Sequence, residues 1–139
     1  MAFLVLMITL VDSNILIDVF IADPTYGITS AKKLRQAFND GAVAACEIVW
    51  TDVGALFPNE HKFIQEMKIL GIEFSPVSYE TSLKAAEIWQ KYRSKGGKKD
   101  RVVADFIIGA HALIQGDCLL TRDRGFYRNY FQGLSIIEP

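Results

Sequence analysis

Cysteine and histidine are both scarce in this sequence of 139 residues, which contains two of each. Cys46 and Cys118 are too few for a disulfide framework, and neither has a metal-ligand spacing or a neighbouring base that would make it a nucleophile. His111 lies in an apolar helical stretch, so we expect a hydrogen-bonded core residue there, and His61 suits the surface. These absences argue against a disulfide-stabilised secreted domain and a zinc-type site, and they predict a protein of the reducing cytoplasm.

The chain also lacks an excess of charge of one sign, since its formal net charge is −1. As a whole it therefore shows no preference for nucleic acid or for an anionic membrane. Its cations are nevertheless clustered, within residues 91–101 and again at Arg122, Arg124 and Arg128. Two interpretations stay open: a solvated helix end with a charged loop, or a contact surface for a polyanion.

The apolar start of the chain is too short to cross a bilayer, which takes about 20 residues. Residues 1–8 lack the basic region and the small-residue cleavage site of a signal peptide, and they continue directly into Val11 and Asp12. We interpret them as part of a buried strand, and either Met1 or Met7 is compatible with the start of the protein. Because repeats, low-complexity segments and long linkers are absent, one domain over residues 1–139 is expected.

Short apolar, β-branched runs alternate with amphipathic segments along the chain. This alternation predicts an α/β fold: a three-layer α/β/α domain with a mostly parallel central sheet. Strands are predicted over residues 4–11, 42–45, 72–75, 118–121 and 134–137. Helices are predicted over residues 14–20, 29–39, 48–57, 60–70, 79–94 and 101–114. In such sheets, ligands bind beyond the carboxyl ends of the strands.

One carboxylate, Asp105, interrupts the otherwise apolar run 102–110. Such a run predicts a buried helix, where an ionised acid is costly unless it is paired, hydrogen-bonded or bound to a cation. One turn into the helix it has no cap to serve, although Arg101 lies four residues earlier and could pair with it. Gly109, on the same face, would let another backbone approach. We therefore expect Asp105 to meet a divalent cation shared with other carboxylates.

Asp12 and Asp123 each follow a predicted strand, at the edge where ligands bind. Asp12 could instead cap the next helix, a role that Ser13 or Asn14 could also fill. Asp123 could instead form an Asx-turn, cap a helix or pair with a flanking arginine. Three converging carboxylates without histidine or cysteine suit Mg²⁺ or Mn²⁺, and such a site favours hydrolysis of phosphate esters.

Three segments resemble the PIN domain, and within that family the VapC-type toxins of toxin–antitoxin pairs: VDSNIL (11–16), ADFIIGAHA (104–112) and LLTRDRGFY (119–127). Their order and spacing make the resemblance specific, and it runs nearly end to end. It implies a magnesium-dependent endoribonuclease with its acids around one or two metal ions, Mn²⁺ being the alternative. Carried over residue by residue, Asp12, Asp105 and Asp123 would bind the metal, and Thr121 would supply the hydroxyl of a Thr-x-Asp element.

The PIN pattern has a fourth acid, normally Glu, on the helix after the second strand. Register places Asp52 at this position, and Glu47 is the nearest Glu. Five helical residues rotate the chain by roughly 140°, so both acids cannot face one site. Glu47 suits the first turn of the helix, where the dipole favours an acid, so we take Asp52 as the fourth catalytic residue. Its shorter side chain implies contact through water and weak or absent activity.

Candidate contacts to the RNA backbone are Arg101, Arg122, Arg124, the hydroxyl of Thr121 and the lysines of the loop that follows Gly97. Such contacts position a substrate without reading its sequence.

The resemblance also implies partners. We expect a cytoplasmic homodimer held by apolar helix faces around Trp50, Phe57 or Trp89. We also expect a small antitoxin whose C-terminal segment covers the cleft with an arginine or lysine.

Two alternatives stay open. A non-catalytic PIN-like module that binds RNA through its basic loop would follow from the shorter Asp52. A haloacid-dehalogenase-like phosphatase is loosely suggested by residues 10–14 and 115–118. That chemistry needs a second acid where this chain has Asn14, and it would leave Asp105 unexplained.

Overall fold

The structure, a computed structural model, describes residues 6–97 and 101–139. Its strands are β1 (Met7–Val11), β2 (Gly41–Ala45), β3 (Glu73–Phe74), β4 (Cys118–Leu120) and β5 (Ile136–Ile137). Its helices are α1 (Ser13–Phe20), α2 (Gly27–Asp40), α3 (Glu47–Gly54), α4 (Glu60–Leu70), α5 (Tyr79–Ser94), α6 (Val103–Gln115) and α7 (Arg124–Tyr130). Leu4 and Val5 of the first predicted strand, and Lys98 and Lys99 of the predicted basic loop, lie outside the described residues.

The five strands form one sheet in the order β3-β2-β1-β4-β5, and every pairing is parallel. With the helices packed around it, this sheet confirms the predicted three-layer α/β/α class. β1 is central because its residues are apolar on both faces, as a strand covered by helices on both sides must be. The register aligns Val11 with Leu120, so β1 and β4 end side by side. The chain passes from β1 to β2 and β3 on one side and then crosses over to β4 and β5 on the other side of β1. A crevice forms at such a reversal of the strand order.

The core contains an aromatic cluster between α5, α6 and α7. Phe106 of α6 is completely buried, and its ring centroid lies 4.8–6.1 Å from those of Trp89, Tyr92, Phe126 and Phe131. Edge-to-face and tilted pairs of this kind add to the stabilisation from burial. The cluster therefore fixes α5, α6 and α7 relative to one another.

The space beside Gly109 is filled by a side chain and not by a backbone, so that part of the prediction is wrong. A Cβ at Gly109 would lie 2.5 Å from the ring of Phe131. Close packing of this kind leaves no room for a methyl group unless the ring moves. The glycine therefore lets α6 approach the segment that follows α7.

Three helix ends differ from the predicted ones by two residues or more, and one helix is additional. α2 begins at Gly27 and not at residue 29. α3 ends at Gly54, three residues before the predicted stop, and the chain turns through residues 55–59 before α4. α6 begins at Val103 and not at residue 101. α7 was not predicted at all. Among the described residues, each helix is too short or too polar to span a lipid bilayer.

Candidate active site

Asp12 follows β1 directly and is buried, with 7% of its surface exposed. It is the N-cap residue of α1, a role that the sequence had left open to Ser13 or Asn14. One carboxylate oxygen, Oδ1, accepts from the backbone N–H of Ser13 at 2.8 Å. The other, Oδ2, accepts from the hydroxyl of Thr121 at 2.7 Å and from the amide of Asn14 at 3.4 Å.

Thr121 joins the ends of the two central strands. Its hydroxyl donates to Asp12, and the same oxygen accepts from the backbone N–H of Asp123 at 3.0 Å. Because Asp12 also donates its backbone N–H to the carbonyl of Leu120 at 3.0 Å, the two strand ends are tied twice. Thr121 is completely buried, so these hydrogen bonds are protected from water.

Asp123 is bound by an arginine distant in sequence, and not by either of its neighbours. Arg101 donates to it with both guanidinium nitrogens, at 2.6 and 3.3 Å. The guanidinium also lies 4.0 Å from Asp105 and over the ring of Phe126, 4.1 Å from its centroid. Arg101 therefore lies between two of the predicted metal ligands.

Asp105 is half-buried and lies in the first turn of α6, because the helix begins at Val103. Its carboxylate accepts from the backbone N–H of Val102 at 3.4 Å, so the residue does serve the helix N-terminus. The expectation that it has no capping role, and is fully buried, is therefore wrong. Its position still brings it towards the other acids, since the charges of Asp123 and Asp52 act on it.

Asp52 and Glu47 lie on different sides of α3, as the helical rotation predicted. Asp52 accepts from the hydroxyl of Ser13 at 2.7 Å, one residue from Asp12. Glu47 accepts from the backbone N–H of Val77 with both oxygens, at 2.9 and 3.2 Å, and so fixes the loop after β3. Of the two acids, Asp52 is the one beside Asp12.

Burial and mutual repulsion raise the pKa values of two of these acids. Burial is the main cause for Asp12, and the charges of Asp105 and Asp123 add to it, while the donors Thr121 and Ser13 oppose it. Burial also raises the pKa of Asp105, with a further contribution from Asp123 and Asp52 against the opposing Arg101. The four acids therefore form one electrostatically coupled group.

The donor chemistry of this group suits a hard divalent cation, because it offers carboxylate oxygens and the hydroxyls of Thr121 and Ser13. Its side-chain arrangement is not that of a preformed site: within residues 6–97 and 101–139, no three acidic, histidine or cysteine side chains are placed to hold a metal ion. Arg101 supplies the positive charge at Asp123. A cation is thus already present where the carboxylates gather.

The family follows from the sequence as a whole. The sequence model of the PIN domain family matches residues 9–132 of the chain. The chain belongs to the PIN domain family. This range contains all four acids and Thr121. No curated protein matches this PIN domain at a significant level of similarity.

The fold of this PIN domain is similar to those of chains in solved toxin–antitoxin complexes. A chain of VapBC2 from Rickettsia felis, bound to a promoter DNA fragment, gives a TM-score of 0.76 at 16% identity, covering 96% of this chain and 99% of that one. A chain of VapBC-1 from nontypeable Haemophilus influenzae gives a TM-score of 0.73 at 18% identity, covering 95% of this chain and 98% of that one. A chain of a toxin–antitoxin complex from Klebsiella pneumoniae gives a TM-score of 0.62 at 22% identity, covering 93% of this chain and 95% of that one. At these identities the likeness shows the fold.

Tyr127 is a residue of this PIN domain whose place at the site the sequence did not reveal. It is buried, with 1% of its surface exposed, and the charges of Asp12, Asp105 and Asp123 act on it. Burial first, then these charges and a hydrogen bond to Asp12, raise its pKa well above the ordinary value. The phenol therefore stays protonated and is available as a donor to Asp12.

Arg122 and Arg124, both predicted to contact RNA, are engaged in ion pairs within the PIN domain. Arg122 forms a bidentate pair with Asp18 at 2.8 and 3.0 Å, and its guanidinium lies 4.1 Å from the centroid of the Tyr26 ring. Arg124 pairs with Glu138. A structural role for Arg122 was therefore missed.

The two histidines lie where the sequence predicted them, and both cysteines are buried. His111 is buried and lies 3.0 Å from the hydroxyl of Ser75, whereas His61 is exposed. Cys46 and Cys118 are buried free thiols. None of the four is part of the acid group.

Proposed function

We propose that this PIN domain is a divalent-metal-dependent endoribonuclease, with Mg²⁺ as the native ion and Mn²⁺ as a substitute, and that it is the toxin of a toxin–antitoxin pair. One observation carries the proposal: Asp12, Asp52, Asp105 and Asp123, from four separate elements, form one coupled group at the carboxyl edge of the sheet. Gathering acids that repel one another lowers the stability of the fold. Acids whose pKa values are raised in this way are concentrated at functional sites, which supports a catalytic role for the group.

The ligands proposed for the metal are Asp12, Asp105 and Asp123, and Asp52 acts from the Ser13 side. When bound, a divalent ion supplies a Lewis acid that polarises the scissile phosphate and lowers the pKa of water. Other residues of the chain orient the metal ligands and position the RNA. Thr121 and Asn14 orient Asp12 through their hydrogen bonds, and Arg101 and Arg124 are the proposed contacts to the RNA backbone.

The proposed partners are a second copy of the chain and a small antitoxin in the cytoplasm. Support comes from the fold-similar chains, which were solved as VapBC and toxin–antitoxin complexes. The aromatic faces first expected to hold the dimer are partly occupied within the chain. Trp50 packs against Phe63 and Phe74, and Phe57 against Phe20 and Phe63.

Cleavage of single-stranded RNA in Mg²⁺ or Mn²⁺ tests the activity. We expect Asp12→Asn to lower the rate by at least about 100-fold, because it removes a charge that acts directly on the metal. Asp117→Asn is the matched control, since Asp117 accepts from the backbone N–H of Ile8 at the opposite edge of the sheet. Equal rates for wild type and Asp12→Asn in both metals would contradict the proposal.

A non-catalytic RNA-binding module is the second candidate, and one observation favours it. Asp52 stands where the family pattern has a longer acid, and its carboxylate is bound to the hydroxyl of Ser13. RNA binding that needs no metal and yields no cleavage would support this candidate.

The haloacid-dehalogenase alternative is withdrawn, because the chain is a PIN domain. Asp117, which suggested one motif, fixes the start of β4 through its bond to Ile8.

A further inference from the structure

The Arg101 guanidinium occupies an unusual place for a substrate-binding residue. It holds both oxygens of Asp123 in a fork and lies 4.0 Å from Asp105, two residues proposed to bind the metal. The ring of Phe126 covers it at 4.1 Å. Only about a quarter of the Arg101 side chain is exposed, 27%. Arg101 is therefore seated within the acid group and does not extend from it into solvent.

This position has an electrostatic reason. Carboxylates that are gathered and partly desolvated repel one another, and an opposite charge within a few ångströms relieves the repulsion. A guanidinium fork matches the two oxygens of a carboxylate and takes one lone pair of each. Arg101 thereby lowers the pKa of Asp105, which burial raises first and the charges of Asp123 and Asp52 raise further. The arginine thus stabilises the acids as a divalent ion would.

A divalent ion and this arginine cannot both be seated here without cost. Each requires oxygens of Asp123, and a singly charged group in contact with a doubly charged ion is repelled by it. The Arg101 side chain is long, so its guanidinium can move by rotation about its own bonds. The metal, as the stronger charge, would take the carboxylates.

We propose that Arg101 is a displaceable internal counter-ion: it occupies the acid group when metal is absent and leaves Asp123 when metal binds. The inference rests on the proposed function, because it takes Asp123 and Asp105 as metal ligands. The affinity for the metal is then set by the difference between two binding free energies, that of the metal ion and that of the Arg101 guanidinium, at the same carboxylate oxygens. Once displaced, the Arg101 guanidinium would contact the scissile phosphate of the RNA that binds at the metal.

Mn²⁺ binding to the full chain, measured by titration calorimetry without RNA, tests the competition. We expect Arg101→Gln to lower the Kd for Mn²⁺ by about tenfold, because the metal no longer displaces a charged hydrogen-bonding partner. Arg128→Gln removes the same charge from an exposed position on α7 and should leave the Kd within about twofold of wild type. Asp12→Asn should abolish tight binding.

The Arg101→Lys variant distinguishes the effect of the bidentate contact with Asp123 from the effect of a positive charge alone. Lysine keeps the charge but cannot form the fork, so we expect a Kd between those of wild type and Arg101→Gln. A nuclear magnetic resonance measurement on wild type follows the displacement of Arg101 directly. The Nη–H signals of Arg101, assigned by their loss in Arg101→Lys, should shift and lose protection from solvent exchange when Mg²⁺ is added, because these groups donate to Asp123.

The proposal is overturned if Arg101→Gln and Arg101→Lys bind Mn²⁺ no more tightly than wild type, or if the Arg101 signal is unchanged by Mg²⁺. Its failure differs from that of the proposed function. If Asp12→Asn loses Mn²⁺ while Arg101→Gln binds as wild type does, only the counter-ion role is wrong. If wild type and Asp12→Asn bind Mn²⁺ equally, the metal site itself is wrong, and the counter-ion role with it.

Discussion

At the residue scale, two buried acids are compensated in different ways. Asp18 is 1% exposed and receives a guanidinium from Arg122 and a hydroxyl from Ser30 at 2.8 Å. Asp12 is 7% exposed, and within the described part of the chain its hydrogen-bond donors are all neutral. The charge of Asp12 is therefore the less compensated of the two, and its pKa is raised. A bound cation would lower its energy most.

This contrast gives a pH dependence for metal binding. The folded pKa values of Asp12 and Asp105 lie above the unfolded ones, so without metal their contribution to stability is present at low pH and lost as pH rises through the folded values. Metal binding needs the deprotonated acids, so protons compete with the ion. We expect saturating Mn²⁺ to raise Tm by about 5–10 °C near pH 7.5 and by much less near pH 5.

Thermal unfolding with and without Mn²⁺ at the two pH values measures this difference. Asp12→Asn should remove most of the increase at the higher pH, whereas Asp117→Asn should retain it. An increase of equal size at both pH values would show that the ion binds elsewhere.

At the element scale, the Asp18–Arg122 pair joins parts of the chain that the sheet alone does not hold together. Asp18 lies on α1, its second donor Ser30 on α2, and Arg122 in the loop after β4 that carries Asp123. The backbone N–H of Arg122 also donates to Asn14 at 3.2 Å. This pair therefore positions the loop that presents two of the site residues.

Arg122→Met tests that structural role. We expect a loss of about 2–4 kcal/mol in the free energy of unfolding, because a buried carboxylate loses its guanidinium; the partial exposure of Arg122 keeps the loss below the largest known values. Arg124→Met is the control, since both partners of the Arg124–Glu138 pair are well exposed and the change should cost less than about 1 kcal/mol. Urea unfolding measures both. Equal losses would contradict the structural role.

Much of the element order could be predicted, because the strands are apolar runs and most helices are amphipathic. α4 and α5 were predicted with their observed bounds, since Asn59 and Ser78 are strong N-cap residues and Gly71 ends α4 with a positive φ of 91°. α7 could not be predicted, because its seven residues contain a glycine and three aromatic residues and form a helix through contacts with the core.

The site was partly predictable for the same kind of reason. Strand ends indicated Asp12 and Asp123, but the partner of Asp123 lies 22 residues away, and no local pattern shows that pairing. Asp18 was missed although the signal was present: it interrupts an apolar run, as Asp105 does, and unlike Asp105 it is buried. The same physical argument applied to every apolar run would have found it.

At the scale of the whole molecule, topology assembles the candidate site, and net charge limits how the proposed RNA substrate could be held. The order β3-β2-β1-β4-β5 brings together acids that lie between residues 12 and 123 of the chain. The formal net charge is −1, so the molecule as a whole does not attract a polyanion. Any attraction would come from local cations, and the proposed contacts Arg101 and Arg124 are among them.

Few cations predict a weak dependence of RNA binding on salt. Each phosphate contact to single-stranded RNA contributes about −0.7 to the slope of log Kobs against log[salt], so two to four contacts give about −1.4 to −2.8. Fluorescence anisotropy of a labelled RNA, with the Asp12→Asn variant to prevent cleavage, measures the slope. Arg124→Gln should make it shallower by about 0.7. Lys68→Gln, which removes an exposed cation in the last turn of α4, outside both basic clusters, should leave the slope unchanged. A much steeper slope, or one that Arg124→Gln does not alter, would mean that RNA is held by another surface.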